Sequence, residues 1–449
     1  MAILTYLKPL GQILHNAIKT LLLGIYTMTA IATQTQALPT HYTTKLDNGL
    51  LVVAIPMEND SNVVSTNVYY NVGSGDEIMG KSGIAHMLEH MNFKSTKNLS
   101  EGEFDKIVKE FGGVNNASTG FDYTKYYIKS SSKNMGKSME LFAELMQNLQ
   151  LTDEEFQKER NVVAEERRWR TENSPMGYLY FKLFNALFDY QSYHWTPIGF
   201  MQDIQSWNIK DIQDFHSKFY TPSNAVLVIA GDVSKEQVFE DAKKHFASIK
   251  DSAVVEPPHM MEEMQKVQKD ILLEKETQVQ MLAIAFRGVK YDDKDQLALD
   301  LLGNILSNGK TSRLYETMVI QKKLVNKIYA YNMDLKYSGA FIVMAVCNPD
   351  IEASEVKKEI LALLEEVKKE GVTQKELTKI KKNIKTDIVF SFTDSMSVSD
   401  LFGSYYSKGN IKPLMEYESD LEKVTKTDIK KVSQEYLNYP VSVILKNKI

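Results

Sequence analysis

An α+β fold built twice over is what this sequence predicts, and three observations predict it. The chain has 449 residues, too many for one ordinary core, so at least two domains are expected. A strand-and-helix order that runs from Tyr42 to Ile249 starts again after the Pro257-Pro258 stretch. Each run covers roughly 200 residues, enough for one packed unit. The expected division is a leader at 1–32, a first unit at 42–249, a linker at 250–263 and a second, homologous unit at 264–449.

The leader holds the apolar run Leu21–Ala32 behind Lys8 and Lys19, too short to span a bilayer comfortably. The basic start, the run and the small-x-small triplet Ala30-Ile31-Ala32 read as a secretory signal cleaved near Thr33, with an uncleaved anchor as the alternative. A mitochondrial transit peptide fits less well, because such leaders are Arg-rich and the first arginine here is Arg160.

In the first unit, Tyr42–Leu46, the turn Asp47-Asn48-Gly49 and Leu50–Ile55 predict a hairpin. Val63–Val72 is rich in β-branched and aromatic residues and predicts a strand, broken by Gly73-Ser74-Gly75. A helix is expected over Gly83–Met91 and another over Leu99–Phe111, with Ser100 as cap and Glu103 three residues on. Gly112-Gly113 ends the latter, and Val114–Lys129 returns as strand. Lys133–Asn148 reads as helix, as does a stretch opened by Thr152 and Glu155 that runs towards Trp169. The strand Ser223–Asp232 and a helix to Ile249 close the unit. The second unit repeats the order: strand Val279–Phe286, helices Asp295–Leu306 and Thr311–Lys322, strand Gly339–Val346, helices Glu352–Lys369 and Thr373–Ile388, and strand Val441–Leu445.

Composition narrows the function. A net charge of -5 gives no basic field for nucleic acid. The single Cys347 excludes an internal disulfide and any zinc site needing two thiolates; following the apolar run Gly339–Val346, it reads as a buried inert thiol.

The chemistry sits in His86-Met87-Leu88-Glu89-His90. Residues four apart share a helix face, so both imidazoles reach one ion, while Ile84, Met87, Leu88 and Met91 supply an apolar seam. This is the H-x-x-E-H order of a zinc site. A catalytic zinc takes three protein ligands and leaves one position for water, and Glu89 beside His90 is suited to act as general base on that water. A third ligand is needed, and Glu159 and Glu166, seven apart, share a face of the helix opened by Thr152. Composition does not choose between them, since Glu154, Glu155, Glu165 and Glu172 also make this an ordinary solvated acidic helix. In the second unit, laying Ala298–Ile305 on Ile84–Met91 sets Asp300, Gly303 and Asn304 at the places of His86, Glu89 and His90, so only the first unit is equipped for metal.

With these residues the chain resembles the pitrilysin/insulinase superfamily of zinc peptidases, and most of all its bacterial and mitochondrial processing-peptidase branch. The resemblance spans about residues 42 to 449. It includes Gly112–Thr119 with Thr124 and Tyr126, Glu159–Glu166, His194–Gly199 and Tyr220–Asn224. It implies two homologous α/β-sandwich units closing as a clam around a chamber, and one Zn²⁺ per chain held by His86, His90 and Glu166. It further implies Glu89 as general base and Glu159 as a supporting glutamate. Substrate, a peptide or unfolded polypeptide, is implied to add as a strand near Asn116 and Ala117. Together with the leader, it implies an exported endopeptidase of the bacterial periplasm, or one held at the membrane by its N-terminal segment. A non-catalytic binding or scaffold subunit is the alternative. Active members or their partner chains carry an Arg and a Tyr seven apart in the second unit, where Val319 and Asn326 stand here; Arg313 and Tyr329 are sixteen apart and do not match. The implied assembly is therefore a heterodimer with a related chain that carries the Arg/Tyr pair, with a homodimer or monomer as the alternative.

Overall fold

The computed structural model describes residues 38–57, 59–252, 262–263 and 265–448. The leader at 1–32 and most of the 250–263 linker lie outside the described residues.

The chain opens on a hairpin of β1 (Tyr42–Lys45) and β2 (Leu51–Pro56). Gly49 takes φ +91° in its turn, whereas Asn48 keeps a negative φ and uses its amide to tie the turn to the carbonyls of Phe246 and Ile249 at 2.8 and 3.0 Å. Next come β3 (Val63–Tyr70), α1 (Ile84–Met91), α2 (Glu103–Glu110), β4 (Val114–Thr119), β5 (Thr124–Ser131), α3 (Met135–Asn148) and α4 (Asp153–Arg167). Beyond a π-helical turn at Arg168–Glu172 stand α5 (Pro175–Leu187), α6 (Met201–Ser206), α7 (Ile209–Phe219), β6 (Ala225–Gly231) and α8 (Lys235–Phe246). The second half holds β7 (Lys269–Lys275), β8 (Met281–Gly288), α9 (Gln296–Ser307), β9 (Val325–Asp334), β10 (Gly339–Cys347), α10 (Ala353–Glu370), α11 (Gln374–Ser391), α12 (Ser395–Lys408), α13 (Lys412–Lys423), α14 (Lys426–Tyr436) and β11 (Val441–Asn447).

Three of the expected elements take a different form. The helix expected from Ser100 starts at Glu103, because Gly102 at φ +79° turns the chain, and the bonds from Ser100 to Glu103 close an entry turn ahead of it. Val114–Lys129 is two strands, β4 and β5, hinged at Gly120, whose N–H bonds the Tyr123 carbonyl. The stretch Thr311–Lys322 is mostly a π-helical turn at Tyr315–Gln321.

The first sheet has the order β1-β2-β6-β3-β5-β4, with β2 and β6 parallel and the other neighbours antiparallel. The second, β7-β11-β8-β10-β9, repeats it strand for strand from β2 onward, including the one parallel pair, β7 with β11. A duplicated unit explains why both halves end on an inner strand, β6 or β11, that needs the whole half to precede it.

Each sheet buries one face under its own helices and the other under a helix of the opposite half. The first core joins Val52, Val64, Val68 and Leu227 to Ile84, Leu88 and Phe142, and the second joins Ile284, Phe341 and Val343 to Leu302, Ile360 and Leu364. On the far side of the second sheet, Leu179, Leu183, Phe184 and Leu187 of α5 meet Ala283, Ile342, Val441 and Val443. Conversely, α12 lies on β3 and β6 of the first sheet. Gly403 permits this approach: a Cβ there would stand 2.2 Å from Tyr69 Cε2. Tyr69 donates to Asp400 at 2.9 Å and Lys125 pairs with Asp400 at 2.7 Å, which adds polar ties across the junction. The two halves thus fold against each other through burial of apolar area rather than across a bare hinge.

Candidate metal centre and active site

Helix α1 is only eight residues long, so its start must be fixed by its surroundings. Gly83 enters it at φ +84°, and the carboxylate of Glu77 takes the free N–H groups of Gly83 and Ala85, both at 2.8 Å. Trp195 Nε1 donates to the same carboxylate at 2.7 Å. This carboxyl group at the N-terminal end of the helix is a cap supplied from outside the helix. Burial pushes the Glu77 carboxyl up to about 8, against the pull of these three bonds. Gly199, at φ +72°, lies so close that a Cβ would be 2.6 Å from the Ser82 carbonyl carbon, which gives the His194–Gly199 segment its structural use.

Ile84, Ala85, Met87, Leu88 and Met91 are buried, leaving His86, Glu89 and His90 to face α4 and β4. In α4, Thr152 caps the first turn through Glu155 N, while Phe156, Val163 and Ala164 pack into the core. The seven-residue spacing then turns both Glu159 and Glu166 towards α1. Glu166 Oε2 lies 3.2 Å from His90 Nε2 and 3.7 Å from His86 Nε2. Glu159 stands behind, its Oε1 accepting from His90 Nδ1 at 2.8 Å and its Oε2 pairing with Lys94 at 2.7 Å. The two glutamates therefore stand differently towards the imidazoles, Glu166 beside both Nε2 atoms and Glu159 at His90 Nδ1.

Among the described residues, His86, His90 and Glu166 are the one group of three such side chains whose ligand atoms all fall within 4.8 Å of one another. Zinc bonds of about 2.0–2.1 Å in tetrahedral array separate neighbouring ligand atoms by about 3.3 Å; Glu166 Oε2 lies near that value from both imidazoles, at 3.2 and 3.7 Å, and the whole set falls within 4.8 Å. The donor chemistry fits as well. Burial, helped by the neighbouring His90, pushes His86 down to about 3, so it is neutral and open to a metal. For His90 burial opposes the charge, but the bonds to Glu159 and Glu166 outweigh it and raise the ring to about 9. Zinc taken here would displace that proton.

Glu89 is held by Thr119, whose hydroxyl donates to Oε2 at 2.5 Å. Burial raises its carboxyl, and the Thr119 bond acts the other way. All these groups line a cavity of about 990 Å³, together with Asn116, Ala117, Arg170 and Tyr180. Asn116 and Ala117 lie on β4, the free edge of the first sheet, and Asn116 Oδ1 covers the Ala117 N–H at 2.9 Å. The second-half residues do not join this cavity. Arg313 is bound to Glu376 at 2.6 and 2.9 Å, Val319 packs on the second core and Asn326 reaches the Cys347 carbonyl at 3.3 Å. Tyr329 Oη rests 3.3 Å from Met344 Sδ. Cys347 is fully buried, with burial pushing its thiol up to about 11.

Sequence reasoning missed Glu77, Lys94, Thr119 and Arg170. Of these, Arg170 carried a local signal, standing four residues after Glu166 on the same helical face.

Residues 52–186 match the family model described as Insulinase (Peptidase family M16), and residues 206–384 the one described as Peptidase M16 inactive domain. A relative named Zinc protease PqqE, from Helicobacter pylori, is 48% identical over 402 residues, covering 89% of this chain and 90% of its own. The crystal structure of a protease from Helicobacter pylori superposes with a TM-score of 0.89 at 47% identity, over 91% of this chain and 100% of that one. A Probable mitochondrial-processing peptidase subunit beta from Arabidopsis thaliana is 25% identical over 413 residues, 88% of this chain and 76% of its own.

Proposed function

This chain belongs to the insulinase-type peptidases of family M16, and from that premise we propose that it is a zinc-dependent endopeptidase acting on peptides or unfolded polypeptides. The observation that carries the reading is the convergence of His86, His90 and Glu166 with Glu89 in one cavity beside a free sheet edge. His86, His90 and Glu166 would hold one zinc, which would supply Lewis acidity to the site and lower the pKa of water towards about 7. Glu159 fixes the His90 ring through Nδ1. The substrate lies as an added strand along β4, where backbone bonding accepts any sequence, and the Asn116 side chain gives up the Ala117 N–H as it binds. Thr119 occupies Glu89 Oε2, so Oε1 takes the proton of the attacking water and later returns it to the leaving amine.

Metal analysis and two variants test this. The purified chain is expected to hold one zinc. Glu89→Gln is expected to keep it and lose at least about 100-fold in activity, and His90→Ala to lose both. Near-normal peptide hydrolysis by Glu89→Gln would defeat the assignment and leave a binding or scaffold subunit.

For location we propose export to the bacterial periplasm through residues 1–32; an N-terminus near Thr33 on the exported protein checks it, and an intact one in membranes would favour an anchor. The absence of an Arg/Tyr pair at Val319 and Asn326, and a relative named as a processing-peptidase subunit, support a working assembly with a related chain. Adding such a chain is expected to raise activity.

A further inference from the structure

Among the described residues two cations line the catalytic cavity, Lys94 and Arg170, set among Glu89, Glu101, Asp105, Glu159 and Glu166. Lys94 is committed, to Glu159 at 2.7 Å and to Glu101 at 3.0 Å. Arg170 is not. Its Nε pairs with Glu166 Oε1 at 2.8 Å, and the side chain is otherwise 61% exposed. A guanidinium carries five N–H donors in a rigid fork, so one clasp on Glu166 leaves both Nη groups to act elsewhere. A lysine here would have a single point of charge for both tasks.

The turn that carries Arg170 is built for its place. Residues Arg168–Glu172 form a π-helical turn, a rare form that recurs at functional sites. It is clamped by Gly177 of α5, another cavity residue, where an added Cβ would come within 1.9 Å of the Arg170 carbonyl oxygen. Arg170 lines the same cavity as His86, Glu89 and Glu166 and touches the last of them at 2.8 Å.

We infer that Arg170 is a catalytic residue, its Nη groups donating to the scissile carbonyl oxygen as that oxygen gains negative charge. The inference rests on the peptidase reading. As the water oxygen bonds to the carbonyl carbon, the C=O electron pair moves onto oxygen and the water proton passes to Glu89. When the C–N bond breaks, the pair returns and Glu89 gives the proton to the amine nitrogen. The Arg170 contact strengthens only between those events, so it lowers the barrier rather than tightening the substrate complex. It gives the chain activity of its own, to which a partner's Arg/Tyr pair adds.

The test uses the full chain with zinc, comparing wild type with Arg170→Gln and Arg170→Lys. It reads zinc per chain, kcat and KM on an unfolded peptide, and the affinity of a phosphonate peptide that mimics the tetrahedral anion. Arg170→Gln is expected to keep zinc, lose about 100-fold in kcat with KM within about threefold, and bind the phosphonate about 100-fold more weakly. Arg170→Lys is expected to keep zinc and still lose at least about tenfold in kcat, and it carries the test alone if the Gln variant does not fold. Zinc loss in a folded variant would reduce Arg170 to a holder of Glu166 and overturn the inference. So would an unchanged kcat, or a loss confined to KM. A zinc-loaded wild type with no hydrolysis would instead defeat the peptidase reading; the phosphonate titration then still judges Arg170, and equal affinities would overturn its assignment.

Discussion

Replacing Glu159 by Gln isolates the carboxylate behind His90, and the structure fixes both the size and the pH dependence of the effect. Glu159 touches His90 Nδ1 at 2.8 Å, and an outer carboxylate of this kind is worth about 10- to 100-fold in metal affinity, or about 1.4 to 2.7 kcal/mol. A second effect opposes it. In the metal-free protein the bonds to Glu159 and Glu166 outweigh burial and raise His90 to about 9, so at pH 7 an imidazolium must lose its proton before Nε2 can ligate. Two units of pH amount to about a hundredfold, or about 2.7 kcal/mol, in apparent affinity. Glu159→Gln weakens the support and the hold on the proton together. Near pH 7 the two oppose each other, and near pH 9, where the wild-type ring is half deprotonated, mainly the lost support remains. Competition with a chromogenic chelator from pH 7 to 9 reads this directly. Wild-type zinc affinity is expected to rise about tenfold per pH unit, and that of the variant less steeply. The wild-type advantage is thus expected to stay below about tenfold at pH 7 and to approach 100-fold at pH 9. Affinities within about twofold at pH 9 would refute the supporting role, and an advantage that does not change with pH would refute the assignment of the linked proton to His90.

Three further expectations follow from the same contacts. Thr119→Val removes a donor that favours the charged form of Glu89, so the carboxyl rises further and the acid limb of kcat/KM moves to higher pH; a limb that stays put or moves down would contradict the role of that bond. Glu77→Ala strands the N–H groups of Gly83, Ala85 and Trp195, and the urea midpoint is expected to fall by the equivalent of about 2 kcal/mol or more, while an unchanged midpoint would show that the metal helix needs no cap. Gly403→Ala drives a methyl group into the Tyr69 ring and is expected to cost about 1–3 kcal/mol by the same measurement, without altering zinc content; no loss would mean that α12 docks less tightly than its contact with Tyr69 implies.

What could be read from the sequence was what short-range geometry dictates. His86 and His90 four apart, and Glu159 and Glu166 seven apart, needed only helical periodicity to come onto common faces, and the structure brings the four together. Glu77 was illegible because its partners in α1 are capped from outside the helix and its third, Trp195, is 118 residues away. Arg170 was within reach of the same periodicity, four residues after Glu166, whereas the π-helical form of its turn was not, since such a turn reads as ordinary helix in sequence. Strands β7 and β9 escaped notice because their faces alternate, so that charged residues such as Lys269, Asp270 and Lys327 interrupt any apolar run. The docking of α12 on the first sheet depends on pairings such as Tyr69 with Asp400, more than 300 residues apart, which no local pattern encodes.

The second half shows why one copy of a duplicated unit holds the chemistry. Its helix α9 corresponds to α1, yet Asp300, at the place of His86, is half-buried and turned to Asn332 at 2.9 Å and Gln296 at 3.3 Å, with desolvation and the nearby Asp334 pushing it up to about 7. Gly303 stands where Glu89 would be, and a Cβ there would already meet Tyr331 Cα at 3.2 Å and Asn332 N at 3.4 Å. In the first half the equivalent edge strand, β4, meets α1 through the 2.5 Å bond from Thr119 to Glu89, and both side chains border the open cavity. In the second half the edge strand β9 packs onto the helix itself, through Ile328, Ala330 and the core of Leu299 and Leu302. The space that is an open cavity in one copy is taken up by the β9 backbone in the other. Restoring histidines at Asp300 and Asn304 would therefore not restore a base, because Gly303 offers no carboxylate and a side chain built there would press on the β9 backbone.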